Sequence, residues 1–537
     1  MHDGSQTSSR GALTPRPPNS ARERTMIAWG LLACLALYVV ALDPALYLWG
    51  DNAHYIIVAK SLATGHGLRD IHTPGSPVFS YPVPLFPLIL APIVRIFDYD
   101  LVPLKLLVVV IGVLTVYATL RLFLRLMDAK RAVVLTALIA VSPQIVSFSH
   151  QVMTELPYLG LSIVALMCVM DFAGDDHWNG RKASLGALTL AATILMRTIG
   201  ITLILAAAAY VVLDGAGPLR RRAAKAALMC GSCAVVWLAA NGAMIASIPY
   251  FAEFRNGTAS AQSGASHMGI RSRVAANLIA YAGAVPETVY YGYSLRDPAP
   301  KLVGVAIIFA ILLGFAFAAW RKRTLVEYYC LAYAAVLLVY EPANSGNLRR
   351  YLVPVIPFLL YYFVRGLEAL GVLAGQIEGT RLLAARWWRT ATIALLALIG
   401  AWNLARTVQA SVLHRRPEMF DFYRWGDFRG YQRMAEWTGA NTPASSVIGT
   451  RGAYIFHFWS RRRVLWLPDM APGSTDSLIA ATVRQRGMGY VTTDGTAAAD
   501  STLFPAFARD DRDFARLYED GRNVVYRVLP PADRAAR

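Results

Sequence analysis

The chain has 537 residues, of which 56% are hydrophobic and only 16% charged, with a mean hydropathy of +0.41. That balance excludes an ordinary soluble protein of this length and indicates a polytopic membrane protein, since each crossing takes about 20 apolar residues. The net charge of +18, from 52 basic and 34 acidic residues, sits largely in short loops between apolar runs. Membrane topology accounts for it there, and no nucleic-acid partner is expected.

Residues 1–25 are polar and rich in Ser, Pro and Arg, and read as a disordered cytoplasmic N-terminus. The apolar run that follows, 26–47, is too long for a signal peptide and lacks a small-residue cleavage site. Behind it stands Asp51, in Trp49-Gly-Asp-Asn-Ala-His-Tyr55, a carboxylate at the mouth of a membrane span. Residues 55–68 read as a short amphipathic helix lying in the interface and ending at Gly65 and Gly67. Ser80-Tyr-Pro-Val-Pro-Leu-Phe-Pro87 then leads into more apolar chain.

Eleven spans are predicted, at 26–47, 101–120, 132–148, 156–171, 184–196, 199–213, 226–246, 301–319, 325–340, 351–367 and 390–407. The loops carrying Arg121, Arg125, Lys130 and Arg131, then Arg220 to Lys225, Arg321 to Arg323, and Arg381, Arg386 and Arg389 fall on the N-terminal side. That side is therefore expected to be cytoplasmic. The acidic loop Asp171 to Lys182 disagrees, but acidic residues weigh little in this rule. The runs 184–196 and 199–213 read as a tight hairpin or one kinked element; the hairpin keeps the later basic loops inside. The five cysteines, Cys34, Cys168, Cys230, Cys233 and Cys330, all lie in apolar runs and are expected to form no structural disulfide.

From residue 408 the composition changes to that of a soluble α/β domain, expected on the outer side. Residues 430–438 and 476–486 read as helices, and 446–450, 463–467, 489–493 and 523–528 as strands. The alternation suggests a βαβ-type arrangement.

Polar residues gather at membrane depth on the outer side in four places far apart in sequence. They are Asp51 with Asn52 and His54; His150 to Glu155; Arg197; and Asn347 to Tyr351, with Arg349 and Arg350. Ionisable residues beside spans are costly and usually mark function. Carboxylates act as general bases or hold a divalent cation, and arginines grip phosphate through a planar fork. Each residue also has a structural alternative. Asp51 suits a helix N-cap, and Glu155 suits the positive end of a helix dipole. Arg197 can snorkel to the interface, and Arg349 and Arg350 can anchor a span. Zinc-hydrolase and P-loop motifs are absent from the sequence.

Five stretches resemble the GT-C superfamily of membrane glycosyltransferases, in the branch of bacterial proteins related to protein O-mannosyltransferases and the lipid A aminoarabinose transferase. They are Gly50-Asp-Asn-Ala-His-Tyr55 with 59–67, Tyr81 to Leu90, Thr154-Glu155-Leu-Pro157 after Ser142-Pro143, Leu195-Met-Arg197-Thr-Ile-Gly200, and Arg349-Arg350-Tyr351-Leu-Val-Pro-Val-Ile-Pro357. Their order and spacing carry the resemblance. It implies a bundle of membrane helices over 26–407 with interfacial helices in the first outer loop, and an outer domain over 408–537. It also implies transfer of a sugar from a polyprenyl-phosphate donor to a glycan, lipid or protein acceptor, at the bacterial cytoplasmic membrane. Asp51 would be the base and Glu155 a second acid, either of which would hold a magnesium or manganese ion if one is used. Arg197, Arg349 and Arg350 would hold the phosphate. Asn52, His54, Tyr55, Lys60, His150 and Tyr351 would contact substrate. The chain departs from the pattern at Asn52, where an acid is common, and in having no clear counterpart before Pro82 of the transferase's phosphate-binding lysine. The rival readings are a lipid-linked sugar flippase, which should show inverted repeats, and a scaffold displaying the C-terminal domain.

Overall fold

The structure is a computed structural model and describes residues 21–46, 51–79, 81, 83–242, 269–292, 298–340, 345–374, 381–414, 428–468, 470, 473–493 and 502–530. Trp49, Gly50, Ser80, Pro82, residues 1–20 and much of the loop 247–300 thus lie outside the described residues, as do 415–427. Two compact units emerge. One comprises 1–42, 80–85 and 105–410; the other comprises 43–79, 86–104 and 411–537.

The first unit is a helical bundle. Its helices are α1 (Ala21–Val40), α4 (Leu101–Leu126, from Lys105 on), α5 (Ala129–Ala140), α6 (Pro143–Ser149), α7 (Glu155–Ala173), α8 (Gly180–Met196), α9 (Ile201–Asp214), α10 (Leu219–Asn241), α11 (Ile270–Ala284), α12 (Pro298–Arg321), α13 (Leu325–Val339), α14 (Ser345–Leu352), α15 (Ile356–Ala374) and α16 (Arg381–His414). Among the described residues, seven helices are long and apolar enough to cross a membrane, or eight if the bent pair α5–α6 is one span.

The expected count of eleven therefore includes shorter elements. The run 132–148 is one of these differences: it is two helices meeting at 60°. Pro143 opens α6 at its first position; a proline there has no N–H to give and clashes with the preceding turn, so the helix restarts. The runs 199–213 and 325–340 are helices of 14 and 15 residues. Helix α1 begins at Ala21, inside the stretch read as a disordered tail.

Burial separates central helices from peripheral ones. The apolar windows of α7 and of 348–374 are 67% buried, against 11% for α1. The exposed faces are apolar, with Met26, Trp29 and Leu32 on α1 and Leu302, Val305 and Leu312 on α12, as lipid-facing surfaces are. Helices α12 and α15 approach backbone to backbone. A Cβ on Gly314 would lie 1.8 Å from the carbonyl oxygen of Tyr362, and one on Gly366 would lie 1.9 Å from that of Ala310. Only glycine allows that spacing, the usual device of helix packing in membranes.

The second unit begins with α2 (Asn52–Ala63) and α3 (Leu85–Phe97, from Phe86 on). Helix α2 was expected over 55–68 as an amphipathic element, but it is buried on nearly every side, from Asn52 to Ala59. Its apolar residues do not follow one stripe, and such a helix is an interior one. Helix α3 occupies the stretch expected only as apolar chain. Pro87 falls in its first turn, where a missing N–H costs nothing.

The C-terminal part of this unit is α17 (Phe428–Asn441), β1 (Val447–Thr450), α18 (Ala453–Ser460), β2 (Arg463–Trp466), α19 (Asp476–Gln485), β3 (Tyr490–Thr493), α20 (Leu503–Arg509), β4 (Phe514–Asp520) and β5 (Asn523–Val528). The five strands lie in the order β2-β1-β3-β5-β4. Strand β1 runs parallel to β2 and β3, and β5 runs antiparallel to β3 and β4. Helices cover both faces. Ile479, Val483, Leu503 and Phe507 pack in one core, and Tyr431, Met434 and Phe456 in the other. Helices α18 and α20 and strand β4 were not anticipated. The arginines and aspartates of 509–520 mask the alternation that marks a strand.

Candidate active site

In the helical unit the chain brings three of the expected residues together. Glu155 opens α7 and is wholly buried. Arg197 follows the last residue of α8 with an extended backbone, φ −152° and ψ 138°, which ends the helix and turns its side chain away from the helical path. Its Nη1 lies 2.6 Å from Oε1 of Glu155 and donates to Oγ1 of Thr154 at 2.9 Å. Arg350, on α14, donates from Nε to the same Glu155 oxygen. The second oxygen, Oε2, is buried with no hydrogen-bond partner. Two guanidinium groups thus meet one carboxylate largely out of water, since the arginine side chains are 12% and 16% exposed.

Tyrosines surround this cluster. Tyr158 and Tyr329 share a hydrogen bond of 3.2 Å, and the Tyr333 hydroxyl donates to the Tyr351 carbonyl at 2.9 Å. Arg349 points elsewhere. It is half exposed, pairs with Glu287 at 2.9 Å, and lies over the ring of Tyr291. The adjacent arginines thus do different things, as neighbours about 100° apart on a helix must. His150 is buried just before α7.

Lys105, absent from the sequence candidates, is 2% exposed near the start of α4. The signal was a lone lysine just inside an apolar run, which reads as a buried group rather than an anchor.

The remaining candidates belong to the second unit. Asp51 stands at the N-cap position of α2, yet its side chain makes no capping hydrogen bond. The helix-cap explanation of this aspartate is not what its geometry supports. Asn52 and Tyr55 are buried, and Tyr55 meets Phe86 edge to face. Lys60 is paired with Asp98 at 2.6 Å, which gives it a local structural partner. His54 is buried against Asp70, with Nε2 2.5 Å from Oδ1, and its ring stacks on Tyr454 at 4.1 Å. Asp70 and His72 were not linked to His54 in the sequence reading.

The local fold explains that grouping. Gly65, Gly67 and Gly75 all take positive φ and reverse the chain after α2. The Ser61 hydroxyl then ties to the Gly67 carbonyl at 2.8 Å, and Asp70 N–H to Pro77 O at 2.9 Å. The His72 carbonyl accepts from Val464 N–H at 2.7 Å. Burial pushes the His72 imidazole down to about 2, with His54 and His457 adding to the effect. Burial also lowers His457, to about 4, although its ring nitrogen Nδ1 is bonded to the Arg462 carbonyl at 2.7 Å. Among the described residues, His54, Asp70 and His72 form a group able to hold a metal ion, and no such group includes Asp51 or Glu155. Glu155 is instead held by arginines, so the idea of a cation on that carboxylate loses its geometric basis.

Residues 80–240 match the family model described as dolichyl-phosphate-mannose-protein mannosyltransferase. No curated protein matches the sequence. Among solved structures, the chain is similar to ArnT from Cupriavidus metallidurans bound to undecaprenyl phosphate. The TM-score is 0.59 at 13% identity, covering 95% of this chain and 99% of that one. The apo state of the same protein gives 0.61 at 14% identity, covering 94% and 98%. The oligosaccharyltransferase AglB from Archaeoglobus fulgidus, in complex with an inhibitory peptide and a dolichol-phosphate, gives 0.57 at 13% identity, covering 95% and 76%.

Proposed function

Starting from the fold of the GT-C glycosyltransferases, which this chain has, we propose that it is an inverting glycosyltransferase. It moves a sugar from a polyprenyl-phosphate-linked donor to an acceptor hydroxyl, on the outer face of a bacterial cytoplasmic membrane. The observation that carries this reading is the buried cluster in which Arg197 and Arg350 converge on Glu155.

Paired arginines of this kind suit a phosphate. Arginine offers five donors in a fixed fork that matches phosphate geometry, and one carboxylate holds both guanidinium groups in place. Glu155 is then a positioning residue: it holds the arginines and does not itself take a proton. Asp51 is assigned the base. It removes the proton from the acceptor hydroxyl, whose oxygen forms a bond to the anomeric carbon from the face opposite the phosphate. The bond from that carbon to the phosphate oxygen breaks with its electron pair, and the configuration inverts. Arginine donors stabilise the charge that grows on the departing phosphate, the kind of preorganised electrostatics that dominates such reactions. No nucleotide is needed, because the donor's lipid chain lies in the bilayer. The C-terminal sheet domain is assigned to the same outer side as Asp51.

The test is chemical. Protein purified in mild detergent is extracted, and the phospholipid fraction is analysed by mass spectrometry for polyprenyl monophosphate. The wild type should retain it, and Arg197→Ala with Arg350→Ala should not. Equal retention by both would remove the phosphate site from this cluster.

A further inference from the structure

We propose that His54, Asp70 and His72 hold a single divalent transition metal of the zinc class. The inference is independent of the sugar-transfer reading, because it concerns a different set of side chains and a different ligand.

The three residues are 1%, 7% and 4% exposed, and one ligand atom from each lies within 4.8 Å of the others. From Asp70 Oδ1, Nε2 of His54 is 2.5 Å away and Nδ1 of His72 is 4.0 Å away. Tetrahedral zinc with ligands at about 2.0–2.1 Å brings donor atoms to roughly 3.3 Å apart, midway between these two values. Two imidazoles on one such ion have ring centroids roughly 5 Å apart. The rings of His54 and His72 are 5.6 Å apart and nearly perpendicular. Movements of about 1 Å within rotamer freedom would close the site.

The charges ask for a cation. Nδ1 of His72 is buried and has no hydrogen-bond partner, so a ring lone pair or N–H is left unused. Asp70 is a buried carboxylate whose ion-pair partners, among the described residues, are the imidazoles of His54 and His72. A buried anion is costly unless a positive charge meets it. Two neutral imidazole nitrogens and one carboxylate form a borderline donor set that suits zinc better than magnesium, which prefers oxygen. A metal would replace any proton shared between His54 and Asp70 and release it to solvent.

The surroundings hold these ligands in place. Tyr454 stacks on His54 and meets His72 edge-on at 4.9 Å, which fixes both ring planes. The peptide of His72 is bonded to Val464. The ring of His457 is farther from His72, 6.1 Å, and its Nδ1 is committed to the Arg462 carbonyl. The set is therefore three protein ligands, with a fourth position for water. A metal here would tie residues 70–72 to α2 and so brace the turn that follows Asp51's helix.

The test uses full-length protein in detergent. Metal content is measured after purification, after chelation, and after re-addition of Zn²⁺ or Mg²⁺. The expected result is about one zinc per chain in the wild type, falling to roughly a tenth in Asp70→Asn and in His72→Gln. Cys230→Ala with Cys233→Ala should keep the zinc, which separates this site from the free thiols. Chelation should speed proteolytic cleavage within 64–79 in the wild type, and Zn²⁺ should reverse it. The two variants should be cleaved quickly with or without zinc. A folded wild type that takes up no zinc, or whose loop is protected by Mg²⁺ and not by Zn²⁺, overturns the assignment and leaves a hydrogen-bonded histidine–aspartate cluster. Zinc bound equally well by His72→Gln overturns it too.

Discussion

Arg197 Nη1 lies 2.6 Å from Oε1 of Glu155, a carboxylate with no exposure to water. The contact joins the broken end of α8 to the first residue of α7, and Arg350 of α14 completes it. The three helices are linked through one oxygen atom, so the cluster is both a candidate phosphate site and a structural tie.

Glu155→Gln should therefore destabilise the bundle. It leaves two poorly hydrated guanidinium groups against a neutral amide, a defect that costs roughly 3–5 kcal/mol when fully buried. The arginines keep slight access to water, so the lower end is expected. Removing Arg350 as well should restore part of the loss, with a coupling of about 1–3 kcal/mol between the two changes. Thermal unfolding in detergent measures this, and strict additivity would mean that the two residues do not act as a pair.

Arg349 and Arg350 should separate cleanly. If Arg350 holds the phosphate as proposed, Arg350→Ala should cost a charge-assisted contact worth about 1.5–3 kcal/mol, or roughly tenfold or more in donor affinity. Arg350→Lys should recover only part, because lysine lacks the planar fork. Arg349→Ala should change affinity by less than about twofold, since its partner is Glu287 and exposed pairs contribute little. Polyprenyl-phosphate binding to each purified variant is the measurement. The reverse ranking would move the site to Arg349.

Asp51→Asn should lower turnover by about 10²-fold or more if the residue is the base. The melting temperature should hardly change, because asparagine keeps the size and helix-capping ability of aspartate. A stable variant with normal turnover would reject the assignment.

Ser474→Cys, in an otherwise cysteine-free protein, should label with a membrane-impermeant maleimide in intact cells. The expectation follows from the basic loops sharing the N-terminal side. Labelling only after lysis would invert the orientation and place Asp51 on the wrong face for a lipid-borne donor.

His457 supplies a pH dependence. Its folded-state value is lowered to about 4 by burial, against 6.5 for the free side chain. The unfolded chain therefore binds a proton that the folded one refuses. Stability is fully present above about pH 6.5 and is lost as the pH falls from there toward 4, by a few kcal/mol at most. His457→Gln can still donate to the Arg462 carbonyl but cannot titrate, so its melting temperature should fall less steeply over this window. Equal slopes would assign the acid sensitivity to other groups.

Composition and periodicity alone made the chain a membrane protein with a different, mixed α/β segment at its end. They also located β1, β2, β3, β5 and the helices α17 and α19, because alternation and helical spacing are local properties. Arg197 and Glu155 stood out for a similar reason: an ionisable residue beside an apolar run is costly wherever the chain goes. What local pattern could not decide was pairing. Arg349 and Arg350 are indistinguishable in sequence, and only the direction of α14 gives one to Glu287 and the other to Glu155. Asp70 and His72 carry no recognisable spacing to His54, because three left-handed glycines fold the intervening turn back on α2. The bend at Pro143 and the burial of α2 on nearly every side also depend on what packs around them. Contacts between residues far apart in the chain are set by how helices and turns are placed in space, and that placement is a property of the assembled core rather than of any one stretch of sequence.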